Sequence, residues 1–313
     1  MTPPNNPHHT RTVPANAAGM ADAAALIAAG ACVAVPTETV YGLAADATRA
    51  DAVARIFAAK GRPAFNPLIV HVASLADAEA FALFDDRARS LAERFWPGPL
   101  TLVLPAQNGS PITGAVTAGL PTLAVRVPAH PVMRALLVAS GRPLAAPSAN
   151  ASGCISPTRA EHVLASLAGR IPLVIDGGPT EAGLESTIVA LTDDTLRLLR
   201  PGPISGETLG HTAHELPDRI EAPGQLARHY QPRKPLSLNR VHQEVDTWLI
   251  GFGTVEGNAN LSSAGDLSEA ATRLYAALHD ADASDRARIA VAPIPFEGIG
   301  AAINDRLARA AAP

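Results

Sequence analysis

The sequence has very little lysine and few aromatic residues. Lys60 and Lys234 are its only lysines among 25 basic residues, aromatic residues make up 4% of the chain, and the formal net charge is −4. A broad nucleic-acid-binding surface needs clustered cations that release counterions, and single-stranded RNA is usually also stacked on aromatic side chains. These shortages count against a protein whose main role is to bind RNA through such a surface.

Cysteine is also scarce. Cys32 and Cys154 form neither a metal-ligand spacing nor a disulfide framework. Cys32 lies in the apolar run 32–35, which predicts a buried core thiol. A reducing cytoplasm is therefore the simplest location for the chain.

No stretch has the pattern of a secretion signal or a membrane helix. Residues 1–15 are rich in Pro, Asn and His, lack the charged start and apolar run of a signal peptide, and are predicted to be a disordered tail. The Ala-rich stretch 21–35 is interrupted by Asp22 and Gly30, so it indicates a helix followed by a strand rather than a membrane span. The phosphate-binding patterns GxxxxGK[ST] and GxGxxG are absent as well.

What is present is typical of a globular protein. The 313 residues are 47% hydrophobic and 17% charged, which allows a full core and two domains. Hydrophobic periodicity predicts helices at 23–29, 50–59, 87–95, 131–139, 157–168 (with Ser156 near the N-cap), 267–279 and 296–312. It predicts strands at 31–35, 68–72, 100–104, 122–127, 143–146, 173–175, 185–191, 195–199, 247–252 and 289–294. Such alternation of short units indicates an α/β or α+β sheet with packed helices.

The segment 60–71, KGRPAFNPLIVH, combines a helix end with two cations and a histidine. Gly61 and Pro63 end the helix, and Lys60 stands in a chain that otherwise uses arginine, which favours a need for a compact ammonium there. A solvated helix C-terminus, where cations complement the helix dipole, is the alternative. Alternation in the following strand puts His71 on the face opposite Val70.

A second basic residue lies inside a predicted strand. In TLAVRV at 122–127, Leu123 and Val125 share one face, and Arg126 lies on the other with Ala124. An arginine among apolar strand residues must be paired with an anion or must line a wet cavity, and a structural ion pair is the simpler alternative.

Two loops carry further polar groups. The loop PSANASG at 147–153 can present several hydrogen-bond donors to an anion without steric cost. The Pro-rich stretch 201–235 has no periodicity, and a connection of that length in a compact protein is usually functional. We expect it to close over the active site as a lid, with a passive tether and Tyr230 packed on the second domain as the alternative.

Seven groups of motifs occur in order along the chain: PTETVYGL at 36–43, KGRP at 60–63 with NPLIVH at 66–71, WPGPLT at 96–101, VRVP at 125–128, PSANASG at 147–153, ESTI at 185–188 and RPG at 200–202. Together they resemble the motifs of the YrdC-type L-threonylcarbamoyladenylate synthases. RHYQP at 228–232 and the βα unit behind it resemble the longer two-domain form, although the family's usual Ala after His-Tyr is Gln231 here. The resemblance covers about residues 16–312.

The resemblance implies a twisted, mostly mixed sheet with flanking helices around a large cavity, and a small βα Rossmann-like C-terminal domain. The expected organisation is a tail at 1–15, a YrdC-like catalytic domain at 16–205, an extended linker or lid at 206–238 and a small α/β domain at 239–313.

It also implies a nucleotidyltransferase that makes L-threonylcarbamoyl-AMP from L-threonine, bicarbonate or CO2 and ATP, releases pyrophosphate, and serves the threonylcarbamoyl modification of tRNA adenosine. Lys60 and Arg62 would act on the phosphates as catalytic cations. The implied ATP contacts are Lys60, Arg62, Asn66, Thr122, Asn150, Thr158, Arg200 and Tyr230. The implied threonine contacts are Thr39, His71, Arg126, Ser148 and Ser186. Mg²⁺ would come with the ATP phosphates, and no protein metal ligand is expected.

The implied partner is the downstream tRNA threonylcarbamoyl-transferase machinery, with a weak contact to tRNA left open and no membrane. Two alternatives remain at this point. One is an RNA-binding module that uses the same concave surface. The other is synthesis of a different carbamoyl-adenylate, as in hydrogenase maturation proteins. Those proteins carry acylphosphatase-like and zinc-finger regions, for which this chain has neither the length nor the cysteines.

Overall fold

The computed structural model describes residues 9–210, 221–226 and 228–312. The strands are β1 Arg11–Pro14, β2 Val33–Pro36, β3 Tyr41–Asp46, β4 Ile69–His71, β5 Leu100–Pro105, β6 Thr122–Arg126, β7 Leu144–Ala145, β8 Leu173–Asp176, β9 Thr187–Ala190, β10 Arg197–Arg200, β11 Leu236–Ser237, β12 Thr247–Gly251, β13 Ala259–Asn260 and β14 Arg288–Val291. The helices are α1 Ala17–Ala28, α2 Ala50–Lys60, α3 Leu75–Glu79, α4 Asp86–Phe95, α5 Gly114–Thr117, α6 Pro131–Ser140, α7 Ala160–Leu167, α8 Leu267–Ala283 and α9 Gly300–Ala310.

The first ten strands form one mixed sheet in the order β1-β8-β2-β3-β7-β4-β6-β5-β9-β10. β4 runs parallel to β6, whereas β3 and β4 are both antiparallel to the short β7 between them. β9 and β10 pair antiparallel across the turn at Asp193 and Asp194, as predicted. The mixed sheet with flanking helices is therefore confirmed.

The remaining four strands form a second, smaller sheet in the order β11-β14-β12-β13, and all of its pairs are parallel. α8 and α9 pack on it, and their apolar faces share one core cluster with β12 and β14. This arrangement confirms the small βα C-terminal domain.

The alternation read from the strands decides which side chains enter the core. Val70 and Val125 belong to the largest hydrophobic cluster, whereas their neighbours Ile69 and Ala124 belong to a separate cluster on the other face. Every residue of β3 is buried, so the strand lacks an alternation of polar and apolar residues. The sequence patterns therefore did not predict it, and the polar segment 37–40 before it was interpreted as part of a connection.

Two local predictions differ from the structure. The expected loose tail at 1–15 is ordered at its end, because Arg11–Pro14 pair in parallel with β8 and gain its hydrogen-bonding edge; residues 1–8 lie outside the described residues. Ser156 is not the N-cap of α7, which begins at Ala160 after Arg159. The Ser156 hydroxyl instead donates a hydrogen bond to a buried carboxylate, described below.

Of the predicted linker at 206–238, residues 211–220 and 227 lie outside the described part. In the described part of the linker, Ala222 packs against the ten-stranded sheet in one cluster with Ile69 and Leu199. No helix among the described residues is both long and apolar enough to cross a membrane.

Candidate active site

A cavity lies where β4 and β6 end, side by side in the sheet. The side chains and backbone that surround it are Thr37, Thr39, Val40, Gly42, Arg62, Ile69, His71, Arg126, Ala146, Pro147, Ser148, Glu185, Ser186, Arg200, Pro223, Gly224, His229 and Tyr230. The carboxyl ends of parallel strands are where α/β sheets bind ligands. Of the thirteen residues predicted for the site, the cavity brings together Thr39, Arg62, His71, Arg126, Ser148, Ser186, Arg200 and Tyr230.

His71 and Arg126 are direct neighbours across the parallel β4–β6 pair. Burial, followed by the nearby Arg126 charge, lowers the pKa of His71 to about 3, so the imidazole is neutral at physiological pH. Its Nδ1 has no hydrogen-bond partner in the described chain. The ring can therefore offer a hydrogen bond to a ligand without adding charge.

Both readings of Arg126 hold: it lines the cavity and it has an anionic partner. Its Nε donates to the carbonyl of Gly98 at 3.0 Å, its Nη1 donates to Thr39 Oγ1 at 3.1 Å, and its Nη2 lies 2.5 Å from Glu38 Oε1. Burial alone would raise the pKa of Glu38, but Arg126 holds it below its usual value, so the pair is ionised. Glu38 was not among the predicted residues.

Arg62 and Arg200 are buried in the cavity wall and form no ion pair among the described residues. Arg62 donates to the carbonyls of Asn66 (3.2 Å) and Pro67 (2.9 Å). Arg200 donates to Ser186 O at 2.9 Å and Ser186 Oγ at 3.0 Å. Burial lowers the pKa of Arg62 to about 10, and burial likewise lowers that of Arg200. Buried cations without a direct ion-pair partner are costly, which favours a cavity that accepts an anion.

Hydroxyl groups complete the polar lining. Thr37 and Thr39 share a hydrogen bond at 2.8 Å in the tight turn between β2 and β3. Ser186 Oγ is 2.8 Å from Thr101 Oγ1, immediately before β9. Ser148 lies in the loop after β7, and its backbone forms an isolated antiparallel β-bridge with Gly42. These groups supply short, fixed donors and acceptors and no charge.

The linker forms the remaining wall. Tyr230 has a left-handed backbone conformation (φ 63°), and its hydroxyl has no partner among the described residues. A Cβ on Gly224, which has φ 86°, would lie 2.8 Å from that hydroxyl and 2.9 Å from Arg200 Cδ. His229 is edge-on to Tyr230, with ring centroids 4.0 Å apart. Tyr230 also belongs to the core cluster of the C-terminal domain, so it packs on that domain and lines the cavity at once.

Lys60 is placed behind the cavity and not in its lining. It is the buried last residue of α2, before Gly61 in the left-handed conformation, and its Nζ donates to the carbonyls of Ser148 and Asn150. Burial, reinforced by the Arg62 charge, lowers its pKa well below the usual value. The alternative of a solvated helix end is wrong, because the ammonium is fully enclosed and holds the 148–150 loop.

The other predicted nucleotide contacts also lie outside the described lining. The side-chain amide of Asn66 has no partner on either atom among the described residues, and the same is true of Asn150 Oδ1. Thr158 is buried beside His162, with 3.4 Å between Thr158 Oγ1 and His162 Nδ1. Thr122 begins β6, at the opposite end of that strand from Arg126. The unsatisfied amides are consistent with a ligand-binding role, whereas Thr122 and Thr158 gain no such support.

The cavity is smaller in this structure than the resemblance implied. A water-sized sphere can occupy only about 50 Å³ of it, whereas pockets that enclose small-molecule ligands hold roughly 300–1,000 Å³. Linker residues Pro223, Gly224 and Tyr230 form part of its wall. These residues therefore contribute to the small volume of the cavity in this structure.

The fold and the cavity define an α/β protein with an arginine-lined cavity at the strand ends of a mixed sheet. A family model described as "Telomere recombination", for Sua5, YciO and YrdC, matches residues 25–202, and one described as "Threonylcarbamoyl-AMP synthase, C-terminal domain" matches 198–312. The chain belongs to the Sua5/YciO/YrdC family, in its two-domain Sua5 form.

Individual relatives agree over nearly the whole chain. The chain is 42% identical to threonylcarbamoyl-AMP synthase of Bacillus subtilis, over 93% of this chain and 92% of that protein. It is 40% identical to the protein of the same name from Pyrococcus abyssi, with 92% of each covered. The crystal structure of P. abyssi Sua5 complexed with L-threonine superposes with a TM-score of 0.86 at 38% identity, covering 93% of this chain and 94% of that one.

Proposed function

We propose that the chain synthesises L-threonylcarbamoyl-AMP from L-threonine, bicarbonate or CO2, and ATP, with release of pyrophosphate. The observation that carries this is the convergence of three buried guanidinium groups, Arg62, Arg126 and Arg200, on one cavity in which only Arg126 is paired with a carboxylate in the described chain. Together with the similarity to threonylcarbamoyl-AMP synthases over 92–93% of the chain, this supports a site for the phosphates of ATP and the carboxylate of threonine.

The reaction needs fixed cations more than a nucleophilic side chain. The amine of threonine takes up CO2 and loses a proton to form a carbamate, and a carbamate oxygen then attacks the α-phosphorus of ATP. The bond between that phosphorus and the bridging oxygen of pyrophosphate breaks. Two anions must therefore be brought together, and preorganised guanidinium and hydroxyl donors offset their repulsion.

Threonine would bind at the His71–Arg126 end. A guanidinium has five N–H groups. Arg126 Nε and Nη1 each use one to donate to Gly98 and Thr39, whereas Nη2 is in ionic contact with Glu38 without a hydrogen bond in the described chain. N–H groups therefore remain on both terminal nitrogens for the threonine carboxylate. Thr39, Ser148 and Ser186 would read the amine and hydroxyl.

ATP would bind at the opposite end, between the loops around Arg62 and Arg200. Arg62 and Arg200 would neutralise the phosphates, and Tyr230 would contact the nucleotide. Asn66 and Asn150 would use their unsatisfied amide atoms. Lys60 would act mainly by holding the 148–150 loop in place.

Mg²⁺ would arrive with the phosphates. The two carboxylates at the cavity, Glu38 and Glu185, are each already paired with an arginine. The donor set of the described residues therefore does not fit a resident metal ion, and no step of the reaction is assigned to one.

The linker would act as a lid. The cavity as described is too small for ATP and threonine together, and we expect the wall made by Pro223, Gly224 and Tyr230 to move when substrates enter. The predicted linker limit at 238 needs a correction, because Leu236 and Ser237 form β11 of the C-terminal sheet. The corresponding limits would be 11–205 for the catalytic domain with β1 included, 206–235 for the linker and 236–313 for the C-terminal domain. The product would be passed to the tRNA threonylcarbamoyl-transferase machinery in the cytoplasm.

Substrate omission tests the proposal. Purified protein should release pyrophosphate only when threonine, bicarbonate and ATP are all present. Pyrophosphate release that is independent of threonine would indicate a different adenylating or hydrolytic activity and would overturn the assignment.

A further inference from the structure

Glu185 is a buried carboxylate in the cavity wall for which the proposed reaction supplies no role. Its Oε1 accepts a hydrogen bond from Ser156 Oγ at 2.5 Å, and both oxygens accept from the Tyr275 hydroxyl at 3.1 and 3.0 Å. Arg306 Nε donates to its Oε2 at 2.8 Å. Tyr275 lies on α8 and Arg306 on α9, so two of these donors come from the C-terminal domain.

Arg306 is the charge partner of this carboxylate and is itself fully enclosed. Its remaining nitrogens donate to Asp305 Oδ2 at 2.7 Å and to the carbonyl of Pro201 at 2.9 Å. Its guanidinium carbon lies 5.3 Å from the centroid of the Tyr230 ring, and the Tyr275 ring lies 5.8 Å from the same ring. The two residues that hold Glu185 therefore also hold the tyrosine of the linker.

The contacts of Glu185 with Arg306 and Tyr275, called the bridge below, balance its charge. Burial alone would raise the pKa of Glu185, but Arg306, then Arg200, together with the hydrogen bonds, lowers it to about 2. Glu185 is therefore ionised, and Arg306 and Arg200 are the two cations that act on it. Arg306 takes the direct contact, whereas Arg200 donates to Ser186 and Pro223 and keeps its position in the cavity.

We propose that Arg306 and Tyr275 are positioning residues through which the C-terminal domain keeps Glu185 compensated, so that Arg200 stays available to an anionic substrate. This inference rests on the proposed function, because it takes ATP as the anion at Arg200. Without Arg306, the Glu185 carboxylate would draw Arg200 into an ion pair and would repel the phosphates. The C-terminal domain would then contribute to ATP binding without touching ATP.

Charge removal and its compensation test the bridge. Arg306→Gln should raise the KM for ATP on the order of 30-fold, which is the effect of one uncompensated unit charge if about 8 Å is taken as its distance from the phosphates and about 20 as the effective dielectric constant. The double variant Arg306→Gln with Glu185→Gln removes both charges and should return the KM to within about threefold of wild type. Glu185→Gln alone should not raise it, because Arg306 keeps Asp305 as a partner.

A structural role for the pair gives the opposite pattern. If Arg306 only holds the domains together, the double variant should be at least as impaired as Arg306→Gln, and that result overturns the inference. If Arg306→Gln does not fold, Arg306→Lys and the double variant decide, because neither leaves an unpaired charge at position 185. A KM for ATP that is raised more than about tenfold in either variant also overturns the inference.

Thr272→Val is the matched control. Thr272 lies on α8 and its hydroxyl donates to the Glu181 carbonyl at 2.8 Å, a hydrogen bond across the same domain boundary without contact to Glu185. Its KM for ATP should stay at the wild-type value. A wild-type protein that forms no threonine-dependent product would refute the proposed function, whereas an active wild type with an unaffected Arg306→Gln variant would refute only the bridge.

Discussion

Replacement of Arg62 separates the chemistry of the cavity from the stability of the fold. Arg62→Met removes a buried guanidinium that has no ion-pair partner in the described chain while keeping much of its apolar stem. Loss of one charge contact to the phosphates in an enclosed site should cost about 2–4 kcal/mol of transition-state stabilisation, or roughly 30- to 1,000-fold in kcat/KM.

The free energy of unfolding should change much less. The variant loses hydrogen bonds to the carbonyls of Asn66 and Pro67, worth about 1 kcal/mol each, but it also removes a desolvated charge. We therefore expect a net change within about 2 kcal/mol. Arg55→Met is the control, because Arg55 is an exposed arginine on α2, the helix that ends two residues before Arg62.

The assays are steady-state pyrophosphate release, calorimetric titration with ATP, and thermal unfolding without ligand. Arg62→Met should lose activity and ATP affinity with a near wild-type melting temperature, and Arg55→Met should match wild type in all three. Wild-type kcat/KM in Arg62→Met would show that this guanidinium does not meet the phosphates. An activity loss accompanied by a collapse in melting temperature would make its role structural.

Three further predictions follow from the same geometry. Serine keeps the hydroxyl and should be rejected by about 1–3 kcal/mol and valine by more; equal kcat/KM with valine would remove Thr39 and Ser186 from threonine recognition. Tyr230→Ala should lose synthesis, and ATP should protect the wild-type linker from limited proteolysis; an unchanged cleavage pattern would make the linker a tether. His162 stacks on His279 with ring centroids 3.9 Å apart, and burial, before the neighbouring charges, lowers the pKa of His162 to about 3 and that of His279 in the same direction. Below about pH 6.5 these two histidines take up protons in the unfolded chain but not in the folded one, so the free energy of unfolding should fall as pH drops from 6.5 toward 3. In thermal unfolding, His162→Phe should make the melting temperature less dependent on pH, and an unchanged dependence would contradict the role given to the pair.

Local patterns predicted most of the elements, and the residues implied by the family resemblance include eight that line the cavity. Period-two alternation placed Val70 and Arg126 on the correct faces, because that information lies within one strand. It could not show that His71 and Arg126 are neighbours, since the pairing of β4 with β6 joins distant parts of the chain. The strand β1 was missed for the same reason: its hydrogen bonds come from β8.

The charges that organise the site were the least visible in the sequence. Glu38 stands between two threonines in a short turn, and nothing nearby in the chain indicates that it pairs with Arg126. Glu185 was read as part of a strand, and its partner Arg306 belongs to a helix of the other domain. Lys60 was singled out correctly as unusual, but its partners are carbonyls of a loop reached only through the fold.

The most direct test of the central claim is identification of the product. Wild-type protein supplied with L-threonine, ATP and ¹³C-bicarbonate should form threonylcarbamoyl-AMP that carries the label in its carbamoyl carbon, as observed by mass spectrometry, together with pyrophosphate. Formation of AMP or ADP without a labelled threonine adduct, or an adduct that forms without bicarbonate, would contradict the account.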